Sequence, residues 1–448
     1  MEASIFSQFL NQIWDKLQLY ITEKTNGTRK NLTYLHKERL TPVYSPTQKW
    51  EGTSANTRAV AADMVAMDSP LPIKKRGSVS KSSGDLPKIG MKKTMNEKDI
   101  NTLNIMNAEL TMMPEGSDRF KQRRRQIFAK LMNDADACSV GIDERNEMNY
   151  LIGISEGVVL IPSDEDDGNT GLGLRVNFGY KDSNTFGVNN PEEITSDDIS
   201  NVINKADANG DTPALAMLSK TLLAKIRKSR WARQLVADYK NQVYTPDAQL
   251  PVPSVASFKE AWESEYGFPL MEIDRSVLTE KNGKDKPFKP FNPNRIVFLP
   301  DATNDGSLVY GTLAEATNPV EGVNYSTVDD YKLISRYRVT DPSLMEITKG
   351  QAMVLPVIEN VDSIYVLDFS KNIPLDESDA DDEGSKDEKI TIEGQAYQKS
   401  EVIKALQTLG ITLAESVKDA TVIKKVNSLS DEDKAAFLEA IKDKTYAG

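Results

Sequence analysis

A chain of 448 residues, 39% hydrophobic and 27% charged, has the make-up of a globular protein with room for two or three cores, which excludes disordered and fibrous classes. Its 67 acids against 55 bases leave a formal charge of -12, which opposes non-specific binding to nucleic acid. The single cysteine, Cys138, excludes an intrachain disulfide, so the chain is expected to work without an oxidising compartment.

Residues 1–21 mix apolar side chains with Asn11, Asp15 and Lys16, which is not the layout of a signal peptide. No run of about 18 apolar residues occurs anywhere, so no membrane-spanning helix is expected. Ile5, Phe6, Phe9, Leu10, Ile13, Trp14 and Leu17 share one face at helical spacing. This predicts an amphipathic helix that either packs on its own domain or docks on a neighbouring subunit. The period is lost over residues 25–52, where Pro42 and Pro46 fall, so an extended arm is expected there. Residues 64–93 hold Pro70, Pro72, Gly77, Gly84, Pro87 and Gly90 among Lys74, Lys75, Arg76 and Lys81. With β-prone pieces at 78–81 and 88–92, this reads as a long two-stranded loop. A loop of about thirty residues is uncommon unless it is functional or disordered.

The strongest helical signal follows. Ile100, Leu103, Met106 and Leu110 share a face until Pro114 and Gly116 interrupt, and Ser117 can cap a second helix. There Phe120, Ile127, Phe128, Leu131, Met132, Ala135 and Cys138 continue a stripe that runs on to about Glu156, or about 60 Å if unbroken at Gly141. Strands are expected at 158–161 and 174–178 around the acidic turn 163–171. Thr195 and Asp198 fit a capping box for a helix through Val202. Thr212 followed by Pro213 predicts another helix, carrying Leu215, Leu218, Leu222 and Ile226. A shorter helix over 258–266 and strands at 296–299, 307–311, 353–358 and 363–369 complete the main body. Helices and strands mix without regular βαβ alternation, which is an α+β pattern. Between Asp376 and Glu388 lie eight acids and one base, Lys386, a run that reads as a linker. Beyond it, capping signals at Ser400, Ser416 and Ser430 predict a small, mostly helical domain over 389–448.

The catalytic inventory is thin. His36 is the one histidine, and its place in the arm would route a Ser-His-Asp or Cys-His arrangement through a mobile segment. Cys138 lies on an apolar helical face and reads as a core residue. One histidine and one cysteine do not make an ordinary zinc site. No phosphate-cradling glycine motif occurs. The turns 301–306 and 207–212 resemble calcium loops, but Thr312 and Thr212 stand where a bidentate glutamate and a glycine are needed, so solvated turns are expected. The basic run Lys121, Arg123, Arg124 and Arg125 is either the wet face of the long helix or a patch meeting acids of a neighbour. The tail has no arginine and a balanced charge, a poor footprint for a DNA-binding module.

The order of parts resembles a family. Asn294-Arg295-Ile296-Val297-Phe298-Leu299-Pro300, followed by Gly306-Ser307-Leu308-Val309-Tyr310-Gly311 and Ala314-Glu315, is similar to the most recognisable stretch of tailed-phage major capsid proteins with the HK97-like fold, in the branch typified by the lambda capsid protein E. Asp341-Pro342, Val354-Leu355-Pro356-Val357, the stretch from Asp143-Glu144-Arg145-Asn146-Glu147-Met148 to Gly153, and Asn177-Phe178-Gly179 match in order. The resemblance covers about residues 64–369. It implies an N-terminal helix and arm over 1–60 and an extended loop over 61–95 that reaches across the neighbouring subunit. It further implies a peripheral domain with a spine helix over 96–189, an axial domain over 190–344 and closing peripheral strands over 345–372. An acidic linker, 373–388, and the helical tail, 389–448, lie outside that core.

The function so implied is non-enzymatic: self-assembly into hexamers and pentamers of an icosahedral head shell that encloses double-stranded phage DNA. Portal, scaffold and head auxiliary or decoration proteins would be the other partners, with no cofactor and no membrane. Lys74, Lys75, Arg76, Lys81, Arg123, Arg124, Arg125, Phe9 and Trp14 are the candidate inter-subunit contacts. A cellular nanocompartment shell of the same fold, or another virion structural protein, is the alternative.

Overall fold

The computed structural model describes residues 4, 17, 21, 33–55, 79–161, 174–188, 194–243, 250–281, 284–341, 343–370, 389–392, 395–408, 422, 426, 434, 437 and 441. The chain divides into two units, Met1–Pro374 and Leu375–Gly448.

In the first unit a short helix, α1 (Leu35–Arg39), runs straight into strand β1 (Leu40–Tyr44). Strands β2 (Lys49–Ala55) and β3 (Val79–Asp85) pair only with each other, as an antiparallel ribbon, before β4 (Lys88–Met95) begins. Helix α2 (Glu97–Thr111) turns its buried stripe, Ile100, Leu103, Met106 and Leu110, onto Ile127 and Leu131 of α3 (Asp118–Glu156). The Oγ of Ser117 accepts the Phe120 N–H at 3.2 Å to open α3, and Gly157, left-handed with φ 72°, closes it. Its 39 residues make a rod of about 58 Å at 1.5 Å per residue.

A hairpin follows, β5 (Val158–Ile161) with β6 (Leu174–Asn177), then β7 (Thr185–Gly187) and α4 (Ser196–Ala208). As the capping box predicts, Asp198 accepts the Thr195 N–H at 2.8 Å. Next come β8 (Leu215–Ser219), α5 (Lys220–Ile226), α6 (Arg230–Tyr239), α7 (Val255–Tyr266) and β9 (Leu270–Ile273). The hairpin β10 (Val277–Lys281) and β11 (Lys284–Phe288) leads to β12 (Arg295–Leu299) and β13 (Gly306–Gly311). A one-turn helix α8 (Ala314–Thr317), β14 (Asn324–Val328), β15 (Lys332–Val339), β16 (Met345–Ile358) and β17 (Tyr365–Asp368) end the unit.

Two sheets organise these parts. One has the order β1-β13-β16-β15-β14, with β4 also on β16, and α3 lies across it. The approach is close: a Cβ on Gly350 of β16 would stand 2.7 Å from the Cβ of Cys138 on α3. The other has the order β7-β17-β12-β8-β9, with α4, α5 and α7 packed against its strands. Spine helix, ribbon and two sheets make the HK97-like α+β arrangement that the resemblance implies.

Several boundaries differ from expectation. Residues 34–44 are no arm: Tyr34, His36, Arg39 and Leu40 are buried, and β1 runs parallel to β13. Hydrogen bonding to the sheet edge satisfies the backbone there, with Pro42 tolerated on an edge strand. The two-stranded loop starts at Lys49 and not at 61 or 64, and 88–95 belongs to the large sheet, because β4 finds its partner in β16 and β3 in β2. Leu215–Ser219 is strand and not helix. All five residues are buried, and the helix opens only at Ser219, whose Oγ caps Leu222 at 3.1 Å. Burial on both faces overrides a helical spacing that the sequence also satisfies.

An axial domain over 190–344 and closing strands over 345–372 do not match the sheets either. Strands β13 to β15 lie with β16 under α3, whereas β17 crosses into the second sheet beside β12 and β7.

In the second unit a hairpin, β18 (Lys389–Ile392) with β19 (Gln395–Gln398), precedes helix α9 (Lys399–Thr408), so strands enter a region expected to be mostly helical. Tyr397, Val402, Ile403, Leu406, Val422, Val426, Phe437 and Ile441 are buried. The capping signals at Ser416 and Ser430 lie outside the described residues.

Candidate assembly surface

The segment before β1 is fixed by charge. Glu147 of α3 accepts the N–H groups of Leu35 at 3.1 Å and His36 at 3.0 Å, supplying the partners that the start of α1 lacks within the helix. The His36 Nδ1 lies 2.7 Å from the same carboxylate, and its Nε2 lies 3.9 Å from Asp143. Lys37 reaches Asp143 at 3.0 Å and Asp329 at 2.9 Å; Lys332 reaches the same two at 2.6 and 2.7 Å. Burial pushes the Asp329 carboxyl up, but Lys332 and Lys37 outweigh it and hold the group well below the usual carboxylate range. Burial lowers Lys332, with Asp143 opposing. Asp329 and Asp330 form the turn of the β14–β15 hairpin, both with positive φ, 51° and 62°.

Arg39 closes the other side, with Nε 2.5 Å and Nη2 2.7 Å from the two oxygens of Asp305, which also accepts the Tyr150 hydroxyl. Asp305 is thus buried and spoken for, while residues 301–304 of the same turn are exposed, as expected of a solvated turn. In the companion turn Asp207, Ala208 and Gly210 are exposed, and Asp211 accepts from Ser363 at 2.9 Å and Tyr365 at 2.7 Å. His36 is buried, with no exposed surface for a substrate. Cys138 is fully buried, and burial raises its thiol to about 11, so it is inert packing. Among the described residues no group of three or more His, Cys, Asp or Glu side chains could hold a metal ion, and no helix is long and apolar enough to cross a membrane.

The ribbon β2–β3 is a two-stranded sheet that pairs with no further strand among the described residues. Two strands alone are marginally stable in water. Its base is held by Trp50, 4% exposed, which stands edge-on to Phe178 with ring centroids 6.0 Å apart. The opposing Gly84 leaves room for that indole, because a Cβ there would lie 2.9 Å from its nitrogen. Lys81 lies on β3. Lys74, Lys75, Arg76, Phe9 and Trp14 lie outside the described residues, but Leu17 and Ile21 of the opening segment are buried with Met132, Ala135 and Cys138.

The basic run sits on the outer side of α3. Arg123 reaches Glu109 at 2.6 Å, Arg124 lies 5.2 Å over the Phe128 ring, and Arg125 is exposed. Sequence reading missed two neighbouring features. Ile105 and Met112 stand out from α2, 61% and 83% exposed. A groove of about 570 Å³ separates the middle of α3 from the β10–β11 hairpin, lined by Met91, Met148, Leu278 and Phe288 with Glu280 and Asp285. The helical spacing of Ile105 and Met112 was readable, but the stripe opposite drew the assignment; the groove depends on a long-range approach with no local signature.

Comparison with known proteins then locates the chain. Residues 21–367 match the family model described as phage major capsid protein E. No curated protein matches the chain in sequence. Among solved structures, a prophage capsid protein from E. coli CFT073 is 12% identical, with 79% of this chain and 98% of that chain covered and a TM-score of 0.48. A virus-like particle from Pyrococcus furiosus is 10% identical, covering 80% and 98%, with a TM-score of 0.35. The capsid of cyanophage A-1(L) is 12% identical, covering 76% and 94%, with a TM-score of 0.37.

Proposed function

Because the chain belongs to the phage major capsid protein E family and is a shell-forming major capsid subunit, we propose that it assembles as hexamers and pentamers of an icosahedral head enclosing double-stranded DNA. The match over residues 21–367 supports the shell role, and the ribbon supports the manner of contact. An element with so little core gains stability by burying surface on a neighbour, so folding of the ribbon and assembly are coupled. Repetition of that contact by symmetry closes rings and then a shell. Lys74, Lys75, Arg76 and Lys81 meet acids on the next copy; the groove between α3 and β10–β11, lined by Glu144, Glu280 and Asp285 together with Arg145 and Lys286, is their seat. Phe9, Trp14 and Arg123 to Arg125 serve as further contacts.

The second sheet with α4 to α7 is the axial part, α3 with the first sheet the peripheral part, and 375–448 an appended module. The role is structural and the chain carries out no reaction. It acts in the virion after assembly in the host cytoplasm, with portal, scaffold and decoration proteins as partners. Electron microscopy of the purified full chain, alone and co-expressed with the other head proteins, tests this. Closed particles or rings of five and six subunits are expected; a chain that stays monomeric in both preparations contradicts the proposal.

A further inference from the structure

We propose that the outer corner formed by α2 and the start of α3 is a contact between copies of this chain, seating the acidic run 164–167 of a second copy. The inference rests on the shell-forming role above. Helix α2 carries two stripes. Ile100, Leu103, Met106 and Leu110 face inward, and Asn101, Ile105, Ala108 and Met112, spaced i, i+4, i+7 and i+11, lie on the opposite side. The outward stripe runs about 16 Å along the helix. With the inner stripe already buried on α3, the fold of one copy does not require isoleucine and methionine there.

Charge borders this stripe. Glu109, on its flank, takes Arg123 at 2.6 Å, which ties the surface of α2 to the basic start of α3. Residues 118–130 hold Arg119, Lys121, Arg123, Arg124, Arg125 and Lys130 against Asp118, a local excess of five positive charges in a chain of net charge -12. Arg119, Arg124 and Arg125 are exposed. The corner therefore combines apolar anchors with cations, which suits an acidic segment.

The same chain supplies that segment. Asp164, Glu165, Asp166 and Asp167 are four consecutive acids in the sequence between β5 and β6. Within one copy they fall short of the corner. The start of α3 is about 58 Å from its end. Residues 157–167, fully extended, span at most about 38 Å. The complementary charges therefore meet between copies, and repetition of such a contact by symmetry extends an assembly.

The test uses the full-length chain, with particles counted by electron microscopy and sedimentation and each fold checked by its melting temperature. The variants are Ile105→Asp/Met112→Asp, Arg124→Glu/Arg125→Glu, and Asp164→Asn/Glu165→Gln/Asp166→Asn/Asp167→Asn. Each is expected to keep the wild-type melting temperature and to lower shell yield about tenfold or more. Combining Arg124→Glu/Arg125→Glu with Asp164→Lys/Glu165→Lys in one chain is expected to restore assembly. Wild-type shell yield in either corner variant overturns the contact. Full assembly of the neutralised acidic run overturns it too, assigning the corner to another acidic source such as 376–388 or a different protein. If the wild type itself forms no particles, alone or with the other head proteins, the shell reading fails; if wild-type shells form and the variants match them, the contact alone fails.

Discussion

Replacing Arg39 by alanine should loosen β1 and the segment before it from the rest of the first unit. The Arg39 side chain is 5% exposed and that of Asp305 is 1% exposed, and two guanidinium nitrogens hold the carboxylate at 2.5 and 2.7 Å. A third donates to the Ala302 carbonyl at 2.7 Å. In the variant Asp305 remains buried beside Tyr150 with its counter-charge gone. Orphaning one member of such a pair costs about 3–5 kcal/mol. Over the 374 residues of the unit, at about 2.1 cal/mol/K per residue, that lowers the melting temperature by about 4–6 °C. The double variant Arg39→Met/Asp305→Leu leaves neither charge alone and should recover most of the loss. Scanning calorimetry of the unassembled protein at neutral pH makes the comparison. A fall of less than about 1 °C for Arg39→Ala, or a double variant no better than the single one, would refute the assignment of this pair as the lock on β1.

Acid should act through Asp329, whose folded pKa is depressed by Lys332 and Lys37 against the upward push of burial. Its contribution to stability is complete above about pH 4 and fades as pH falls from there toward the folded value. Urea midpoints taken from pH 6 downward should thus fall less steeply for Asp329→Asn; parallel profiles would sink the idea. Trp50→Ala should destabilise the protein by about 3–5 kcal/mol and cut particle yield, read by urea unfolding and microscopy. Gly350→Ala forces its Cβ to within 2.7 Å of the Cys138 Cβ and should cost about 1–3 kcal/mol in the same unfolding assay. With a buried thiol raised to about 11, Cys138 should resist a thiol reagent at pH 8 until the chain unfolds, and rapid labelling of folded protein would contradict its packing role.

What could be read from the sequence follows the range of the interactions involved. Helices α2 and α3 and the cap at Ser117 rest on local hydrogen bonds and a periodic stripe, so they were legible, with α3 expected to end at about Glu156. The ribbon was legible as a two-stranded loop rich in glycine and proline, but its strands were placed at 78–81 and 88–92 instead of 49–55 and 79–85. Its first strand, Lys-Trp-Glu-Gly-Thr-Ser-Ala, has no alternation, and its partner lies about thirty residues on. Leu215–Ser219 was misassigned because five buried residues in a central strand obey no period-two rule. The locks on residues 34–40 pair side chains more than a hundred positions apart, His36 with Glu147 and Arg39 with Asp305, and no spacing rule reveals such partners. For the same reason the candidate surface was only partly visible. Basic Arg123 to Arg125 could be seen as a run, whereas Trp50 as the ribbon's anchor required knowing that Phe178 stands beside it.

The central claim is that copies of this chain close into a shell through the ribbon. A cryo-electron-microscopy reconstruction of particles from the purified full-length chain tests it most directly. The account predicts rings of five and six copies in which each ribbon, continuing from β2 and β3, lies on the spine helix and hairpin groove of the adjacent copy. Particles in which the ribbon folds back on its own subunit, or a preparation without particles even when the other head proteins are present, would contradict it.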